Sequence, residues 1–182
     1  ELGRGKGLIH IGVFDTGFDL TTRYGLILML DVLEHLPDPV AALDHARTLL
    51  APQGRVLVTV PAFPCLWTTH DDFNHHRIRF TAKTLVQTSR KAQLDPEWLR
   101  YYFHWLFFAK VIVSAKERLF RGTPQMATVP PAKVNRALYL LSCLEQRVTN
   151  RIPIPFGSSL TVALRACDSP AHIASDVALH AA

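Results

Sequence analysis

Short apolar runs separated by polar turns predict three strands in the first third of the chain. Residues 8–14, LIHIGVF, alternate β-branched side chains with small or polar ones, which is typical of a strand. Residues 26–30 are continuously apolar and lie between turn signals, a pattern that indicates a strand buried on both faces of a parallel sheet. Residues 55–60, RVLVTV, predict a third strand.

The positions between the second and third strands predict a helix. Asp38 is a good N-cap, and Pro39 is tolerated at the first helical position. Apolar residues then recur at helical spacing from Val40 to Leu50, and residues 52–54 end the helix. A strand, a helix and a strand within about 35 residues have the length of a parallel βαβ unit.

The rest of the chain predicts further elements around a long loop. Residues 61–80 show no regular period, and irregular loops of this length often serve as lids or binding loops. Beyond it we expect helices at 81–92, 107–120 and 134–148 and strands at 97–103 and 160–166. The fold class that follows is α/β, with a mostly parallel sheet and flanking helices. One domain is expected over residues 1–168, with a helical insertion at 105–150, followed by a flexible tail at 169–182.

Composition narrows the class of protein. With 182 residues, of which 48% are hydrophobic, the chain can bury a core, and this argues against a disordered protein. The net charge is +5, but the basic residues are scattered, so we expect no nucleic-acid partner. The three cysteines match no disulfide or metal spacing, which favours a reducing compartment.

Apolar segments bear on the location of the protein. The first ten residues contain no apolar core, so we expect no signal peptide and a cytoplasmic protein. The most apolar stretch, residues 105–114, is interrupted by Lys110 and is shorter than the roughly 20 residues that span a bilayer. Two hypotheses remain for residues 105–120: an interfacial helix in peripheral contact with a membrane, or a helix that packs in the core or forms a homodimer.

Polar side chains follow the strand at residues 26–30 directly. Asp31, Glu34 and His35 come just after its carboxyl end, where open α/β sheets bind ligands. Asp31 either lines such a site or caps the next turn. Glu34 and His35 either form an acid–base pair or hold the loop through hydrogen bonds to the backbone.

The densest polar cluster of the chain lies in the predicted loop at 61–80. It could hold a metal ion, act as a lid with a proton-accepting histidine, or form a surface loop whose side chains pair locally. Its spacing matches no zinc signature, so no metal site is predicted. The members are His70, Asp71, Asp72, His75, His76 and Arg77.

Four segments in order resemble the class I S-adenosylmethionine-dependent methyltransferases, of the type 11/12-like branch. LILMLDVLEHLPDP (26–39) resembles the fourth strand and the segment after it, and HARTLLAPQGRVLVTVPAF (45–63) the next helix and the fifth strand. LWTTHDDFNHHRIRFT (66–81) is similar to a loop of a bacterial branch, and IPFGSSLTVALRA (154–166) to its last strand. The resemblance implies a Rossmann-like sheet with strand order 3-2-1-4-5-7-6, S-adenosylmethionine as cofactor, and methyl transfer to a small-molecule or lipid-linked acceptor.

The resemblance also implies roles for particular residues. In the family, the cofactor lies against residues that follow the third and fourth strands, and the lid loop faces the acceptor. The implied cofactor-binding residues are Phe14, Asp15, Leu30, Asp31, Val32 and His35. The implied catalytic residues are His70, Asp71 and His75, of which one histidine would take a proton from the acceptor.

One departure from the family limits what the resemblance implies. The Gly-rich turn that follows the family's first strand has no counterpart here, so we expect an N-terminally truncated domain without strands one and two. The strand at 26–30 would then have an open apolar edge, unless a longer protein, a second copy or residues 8–14 covered it. The alternative function is a catalytically incomplete fragment that serves as a partner or scaffold subunit. A dinucleotide-dependent oxidoreductase is less favoured, because its phosphate-binding glycines are also absent.

Overall fold

The structure is a computed structural model that describes residues 22–120, 130–149, 152 and 154–167. The predicted strand at 8–14, with the predicted cofactor residues Phe14 and Asp15, lies outside the described residues. The predicted tail at 169–182 lies outside them as well.

Strands and helices follow one another along the described chain in an α/β order. The strands are β1 Tyr24–Leu30, β2 Leu50–Pro61, β3 Leu94–Tyr102 and β4 Ser159–Ala166. The helices are α1 Pro39–Thr48, α2 Thr69–Phe73, α3 Ala82–Lys91, α4 His104–Phe120 and α5 Ala132–Thr149. Two single 3₁₀ turns, Leu33–His35 and Pro64–Leu66, follow β1 and β2.

The four strands form one mixed sheet in the order β1-β2-β4-β3. β1 is parallel to β2, and β4 is antiparallel to both β2 and β3, so β1, β2 and β3 run in one direction. Three of the four described strands thus share a direction, which confirms the α/β class. The order equals strands 4-5-7-6 of the predicted topology, and β1 is an edge strand of the described sheet.

One face of the sheet is closed by α1 and α3. The register pairs Ile27 with Val56 and Met29 with Val58, and these side chains face the two helices. Leu43 of α1 and Leu85 of α3 are fully buried against them. We call this side of the sheet the closed face. Its further buried members are Ala46, Val60, Leu94, Leu160, Val162 and Leu164.

The opposite side of β1 is not covered by any described element, and we call it the open face. Leu26, Leu28 and Leu30 are 57%, 54% and 51% exposed. The prediction that this strand is buried on both faces is therefore wrong for the described residues. Side chains alternate along a strand, so α1 and α3 can bury only every second residue of β1.

Helix ends follow the local capping signals. The Asp38 side chain accepts a hydrogen bond from the Ala41 N–H at 2.9 Å, as expected of an N-cap, with Pro39 as the first helical residue. Thr81 caps α3 in the same way, through the Thr84 N–H. The two predicted starts, at residues 39 and 81–82, are confirmed.

Other predicted boundaries need correction. The loop at 61–80 is not irregular throughout, because a capping box of Thr68 and Asp71 begins the short helix α2. β2 starts at Leu50, not at residue 55, because Leu50 pairs with Tyr24 ahead of a register shift. The helix predicted at 134–148 is observed as α5, and none of its residues is buried, so its apolar stripe does not pack in the core of the described residues.

Candidate active site

The chain turns sharply where β1 ends. Asp31 adopts a left-handed backbone with φ of 51°, which costs little for a short polar side chain. Its N–H donates to both the carbonyl and the hydroxyl oxygen of Thr59, each at 3.0 Å, and this fixes the turn to the end of β2. Leu30 and Asp31 are exposed and Val32 is half-buried, so these three residues form an accessible rim.

The 3₁₀ turn after this rim points Glu34 inward and His35 outward. Glu34 is only 1% exposed, and neither of its carboxylate oxygens has a hydrogen-bond partner among the described residues. Burial raises the pKa of Glu34 to about 7, because the charged form loses its hydration. His35, by contrast, is exposed. A buried carboxyl group without a partner is costly in a fold, and it indicates a position kept for a purpose other than packing.

Asp71 organises the segment from Thr68 to Phe80. It is fully buried, and its Oδ1 accepts from Arg79 Nε at 2.8 Å and from His76 Nδ1 at 2.7 Å. Its Oδ2 accepts from the Thr68 N–H at 2.9 Å. Burial alone would raise the pKa of Asp71, but the hydrogen bonds from Arg79, Thr68 and His76 outweigh it and lower that pKa.

Arg79 joins this segment to the end of β2. Its side chain is fully buried, and its Nη1 donates to the Ala62 carbonyl at 2.9 Å. Ala62 also forms a bridge with Phe80. The loop is therefore held to the carboxyl edge of the sheet by a buried ion pair and backbone hydrogen bonds.

The loop and the turn after β1 meet at this edge. The Arg77 N–H donates to the Glu34 carbonyl at 2.7 Å, and Arg77 Nε donates to the His35 carbonyl at 3.1 Å. The rings of His35 and His76 lie edge to face with centroids 4.8 Å apart. Burial lowers the pKa of His76, although its hydrogen bond to Asp71 opposes the shift.

The three predicted catalytic residues lie in different settings. His70 is exposed and accepts a hydrogen bond from Asn74 Nδ2 at 2.8 Å. His75 is exposed at a left-handed backbone position with φ of 56°. Asp71 is buried with both oxygens bonded, so it is not placed to touch a substrate, and a positioning role replaces the predicted catalytic one.

Sequence reasoning assigned no role to several residues of this edge. Lys110 of α4 is one of them: burial lowers its pKa, and the charges of Arg79, Asp71 and Asp31 act on it. The signal was a single lysine within the apolar run at 105–114. No pattern in the sequence indicates that Glu34 lies close to residues 76–79, because the two segments are more than 40 residues apart.

Aromatic rings line the same edge beyond β2 and β3. Phe63, with φ of 57°, stacks on Tyr101 at 5.2 Å and 8°, and Phe107 of α4 contacts Phe63 edge to face at 5.6 Å. Such rings suit a flat or apolar group. A cavity of about 190 Å³ is lined in part by Tyr101 and His104. A larger one, of about 800 Å³, lies away from this edge at the amino end of β2.

The rim fits part of a methyl donor such as S-adenosylmethionine. Exposed Leu30 offers an apolar contact, and the adjacent Asp31 carboxylate can accept from a cationic ammonium group. Val32 continues the rim. These residues make one wall only, and the implied adenine contacts at Phe14 and Asp15 lie outside the described residues.

The strand order β1-β2-β4-β3, with β4 antiparallel to its neighbours, is the arrangement of an α/β protein of the methyltransferase type. Residues 7–108 match a family described as a methyltransferase domain, and the match covers more than half of the 182 residues. The chain therefore belongs to this family of methyltransferase domains, whose cofactor is S-adenosylmethionine. No curated protein sequence matches the chain.

Solved structures of several methyltransferases are similar to the chain. One chain in the Haloferax volcanii complex of the Trm112 methyltransferase activator with a methyltransferase is 16% identical in sequence to this chain. The match covers 87% of this chain and 60% of that one, with a TM-score of 0.49. Phosphoethanolamine N-methyltransferase 2 of Haemonchus contortus, in complex with S-adenosyl-L-methionine, is 12% identical over 80% of this chain and 34% of that one, at 0.43. A SAM-dependent methyltransferase of Archaeoglobus fulgidus is 11% identical over 79% and 59%, at 0.42. The chain thus spans less than two thirds of these relatives, and the family assignment depends on the domain match.

Proposed function

We propose that the chain contributes to methyl transfer from S-adenosylmethionine to a small-molecule or lipid-linked acceptor. The supporting observation is the meeting of two segments at the carboxyl edge of the sheet: the rim at 30–32 and the loop at 68–80, joined through Arg77 and Glu34. When bound, the cofactor supplies an activated methyl group and leaves as a neutral thioether. The protein then has mainly to position the acceptor and receive its proton.

The roles proposed for the described residues follow from their exposure. Leu30, Asp31 and Val32 form the cofactor wall, and the roles that the resemblance implies for Phe14 and Asp15 belong to the same proposal. His70 and His75 are exposed on the loop and serve as candidate bases for the acceptor proton. Asp71 positions the loop through its buried hydrogen bonds and does not touch the acceptor.

Separate replacement of the two exposed histidines tests the acid–base role. In the longest form of the protein that is active, His70→Gln or His75→Asn is expected to lower turnover by about 10²-fold or more, as removal of a general base does. The affinity for S-adenosylmethionine is expected to stay within about twofold, because neither residue belongs to the wall. Asp72→Asn is the matched control, since an amide oxygen can still accept from Trp67 Nε1. Unchanged turnover in both histidine variants would remove them from the mechanism.

A partner or scaffold role is the second candidate, and the exposed leucines of the open face favour it. Calorimetric titration of S-adenosylmethionine into this chain separates the two. We expect weak or no binding, because the described residues form one wall of the cofactor site. Micromolar affinity would instead support an enzyme that is complete within this chain.

A lipid-linked acceptor is supported by apolar side chains on α4. Phe108, Ile112 and Leu119 are 57%, 68% and 76% exposed, and Lys116 and Arg118 lie on the same helix. No helix among the described residues is long and apolar enough to cross a membrane. Peripheral contact predicts co-sedimentation with anionic vesicles that weakens as salt rises. Absence of binding at both low and moderate salt would favour a small soluble acceptor.

A further inference from the structure

A second site is indicated where Glu34, His35 and His76 converge. One potential ligand atom of each residue lies within 4.8 Å of the other two. We infer that these three side chains bind a divalent first-row transition-metal ion, with Zn²⁺ as the representative case. The inference is drawn from this geometry and does not depend on methyl transfer.

The buried carboxylate of Glu34 is the first argument. Both oxygens are buried and have no hydrogen-bond partner in the part of the chain that the structure describes, and the residue itself is 1% exposed. An isolated carboxylate in such a place is expensive, and buried charges are normally paired or bound to metal ions. A cation at this point would supply the partner that the described residues do not.

The orientation of His76 is the second argument. Its Nδ1–H donates to the Asp71 carboxylate at 2.7 Å, which leaves Nε2 with its lone pair available. Metal-binding histidines commonly donate their other ring N–H to a carboxylate, which fixes the tautomer and makes the ligating nitrogen more basic. Asp71 is itself held by Arg79 and Thr68, so this ring is held in place before any ion binds.

The donor set selects the class of ion. Two imidazole nitrogens and one carboxylate oxygen suit zinc, iron and their neighbours better than Mg²⁺ or Ca²⁺, which prefer oxygen ligands. At metal–ligand distances near 2.1 Å, tetrahedral donors lie about 3.4 Å apart, so the three groups have to close by at most about 1.4 Å. His35 is exposed and can make that movement by changing its rotamer. Three protein ligands leave a coordination position open, which is typical of catalytic rather than structural ions.

Spacing rules could not reveal this site. Glu34 and His35 are adjacent, but His76 follows His35 by 41 positions, and the three meet only because Arg77 ties the loop to the turn. His35 would then be a ligand of the metal ion, whereas the family resemblance implies that it binds the cofactor.

Metal binding to the full chain, after treatment with a chelator, tests the inference. We expect one tightly bound equivalent of Zn²⁺ by equilibrium dialysis, and much weaker binding of Mg²⁺. Glu34→Gln and His76→Asn are each expected to weaken the Zn²⁺ affinity by at least about tenfold, and Asp71→Asn by about 10- to 100-fold, as for the partner of a metal-bound histidine. His75→Asn, one position before His76, is the matched control and should bind Zn²⁺ like the parent chain.

Two further measurements separate a metal site from a folding defect. His35 is exposed, so His35→Asn should keep the circular dichroism spectrum of the parent chain. The same variant should no longer bind one equivalent of Zn²⁺ tightly. The Co²⁺-loaded chain should show visible d–d absorption that is lost in the same variant. The inference would be overturned if the parent chain bound no Zn²⁺ at 100 µM metal. It would also be overturned if Glu34→Gln and His35→Asn bound Zn²⁺ as tightly as the parent chain.

Discussion

The two sides of strand β1 differ in what covers them. On the closed face, Met29 is 4% exposed beneath α1 and α3. On the open face, its neighbour Leu28 is 54% exposed. Both are large apolar residues of one strand, so composition cannot account for the difference, and only the presence of helices on one side does.

The difference shows which part of the fold the described residues complete. α1, α3 and the sheet bury a continuous core on one side, as a two-layer unit. Sheets with parallel strands are normally covered on both faces, so a further layer is expected over Leu26, Leu28 and Leu30. The candidate active site lies at the carboxyl end of β1, between the covered and the uncovered side of this strand.

Truncation of neighbouring residues should give the largest contrast between the faces. Met29→Ala is expected to lower the free energy of unfolding by about 2–5 kcal/mol, because it leaves a cavity in the closed face. Leu28→Ala should cost less than about 1 kcal/mol, since an exposed side chain loses little burial. Urea unfolding at 25 °C measures both. Equal losses would mean that the open face is covered in solution.

A charge on the open face tests whether it serves for association. An exposed apolar edge favours pairing with another chain. Leu28→Lys is therefore expected to weaken self-association by about tenfold, or about 1.4 kcal/mol, as measured by sedimentation equilibrium. Leu140→Lys, on the exposed side of α5, is the control. A parent chain that stays monomeric at millimolar concentration would refute association through this face.

Helix capping should have a smaller effect, confined to the closed face. Asp38→Ala removes the bond to the Ala41 N–H and is expected to cost about 1 kcal/mol of folding stability. Asp38→Asn should restore most of that loss, because an amide oxygen also accepts. Thermal or urea unfolding of the three chains checks the order, and an Asn variant as weak as the Ala variant would contradict capping.

The smallest effect is expected from the Arg55–Glu97 pair. Arg55 shares the open face with Leu26, and its Nε donates to Glu97 Oε2 at 2.6 Å. This hydrogen bond from Arg55 lowers the pKa of Glu97. Because the folded pKa lies below the unfolded one, the stabilisation is present above the unfolded pKa near 4.5 and is lost as the pH falls through the folded pKa.

Comparison of the parent chain with Glu97→Gln at several pH values measures this effect. We expect a slight stability advantage of the parent chain at pH 6 that diminishes as the pH falls below 4.5. The pair is exposed, so salt should also reduce the advantage. An advantage that grows towards acid would contradict the assigned sign.

Local signals in the sequence predicted part of the fold well. The apolar run at 26–30, the N-cap at Asp38 and the N-cap at Thr81 each place an element within a few residues of its observed start. These signals depend on residues next to one another in the chain, and the same chemistry acts in the folded protein. The short helix α2 was missed, because five residues are too few to show a helical period.

Contacts between distant residues could not be predicted in the same way. The burial of Glu34, the pair of Asp71 with Arg79 and the exposure of α5 depend on which segments meet in space. The polar cluster at 70–77 is evident in the sequence, but its exposed and its buried members look alike there. The resemblance implies a catalytic Asp71, whereas the structure buries this side chain and bonds both of its carboxylate oxygens.

The Asp71–Arg79 pair also limits how this loop can be exchanged between related proteins. A transplanted segment that carried Asp71 and Thr68 but stopped before Arg79 would leave a buried carboxylate without its counter-charge, at a cost of about 3–5 kcal/mol. A graft must therefore extend at least from residue 68 to residue 80. Within those limits, the exposed side chains of His70 and His75 take no part in the buried hydrogen bonds that support the loop, so changes there should affect turnover and not folding.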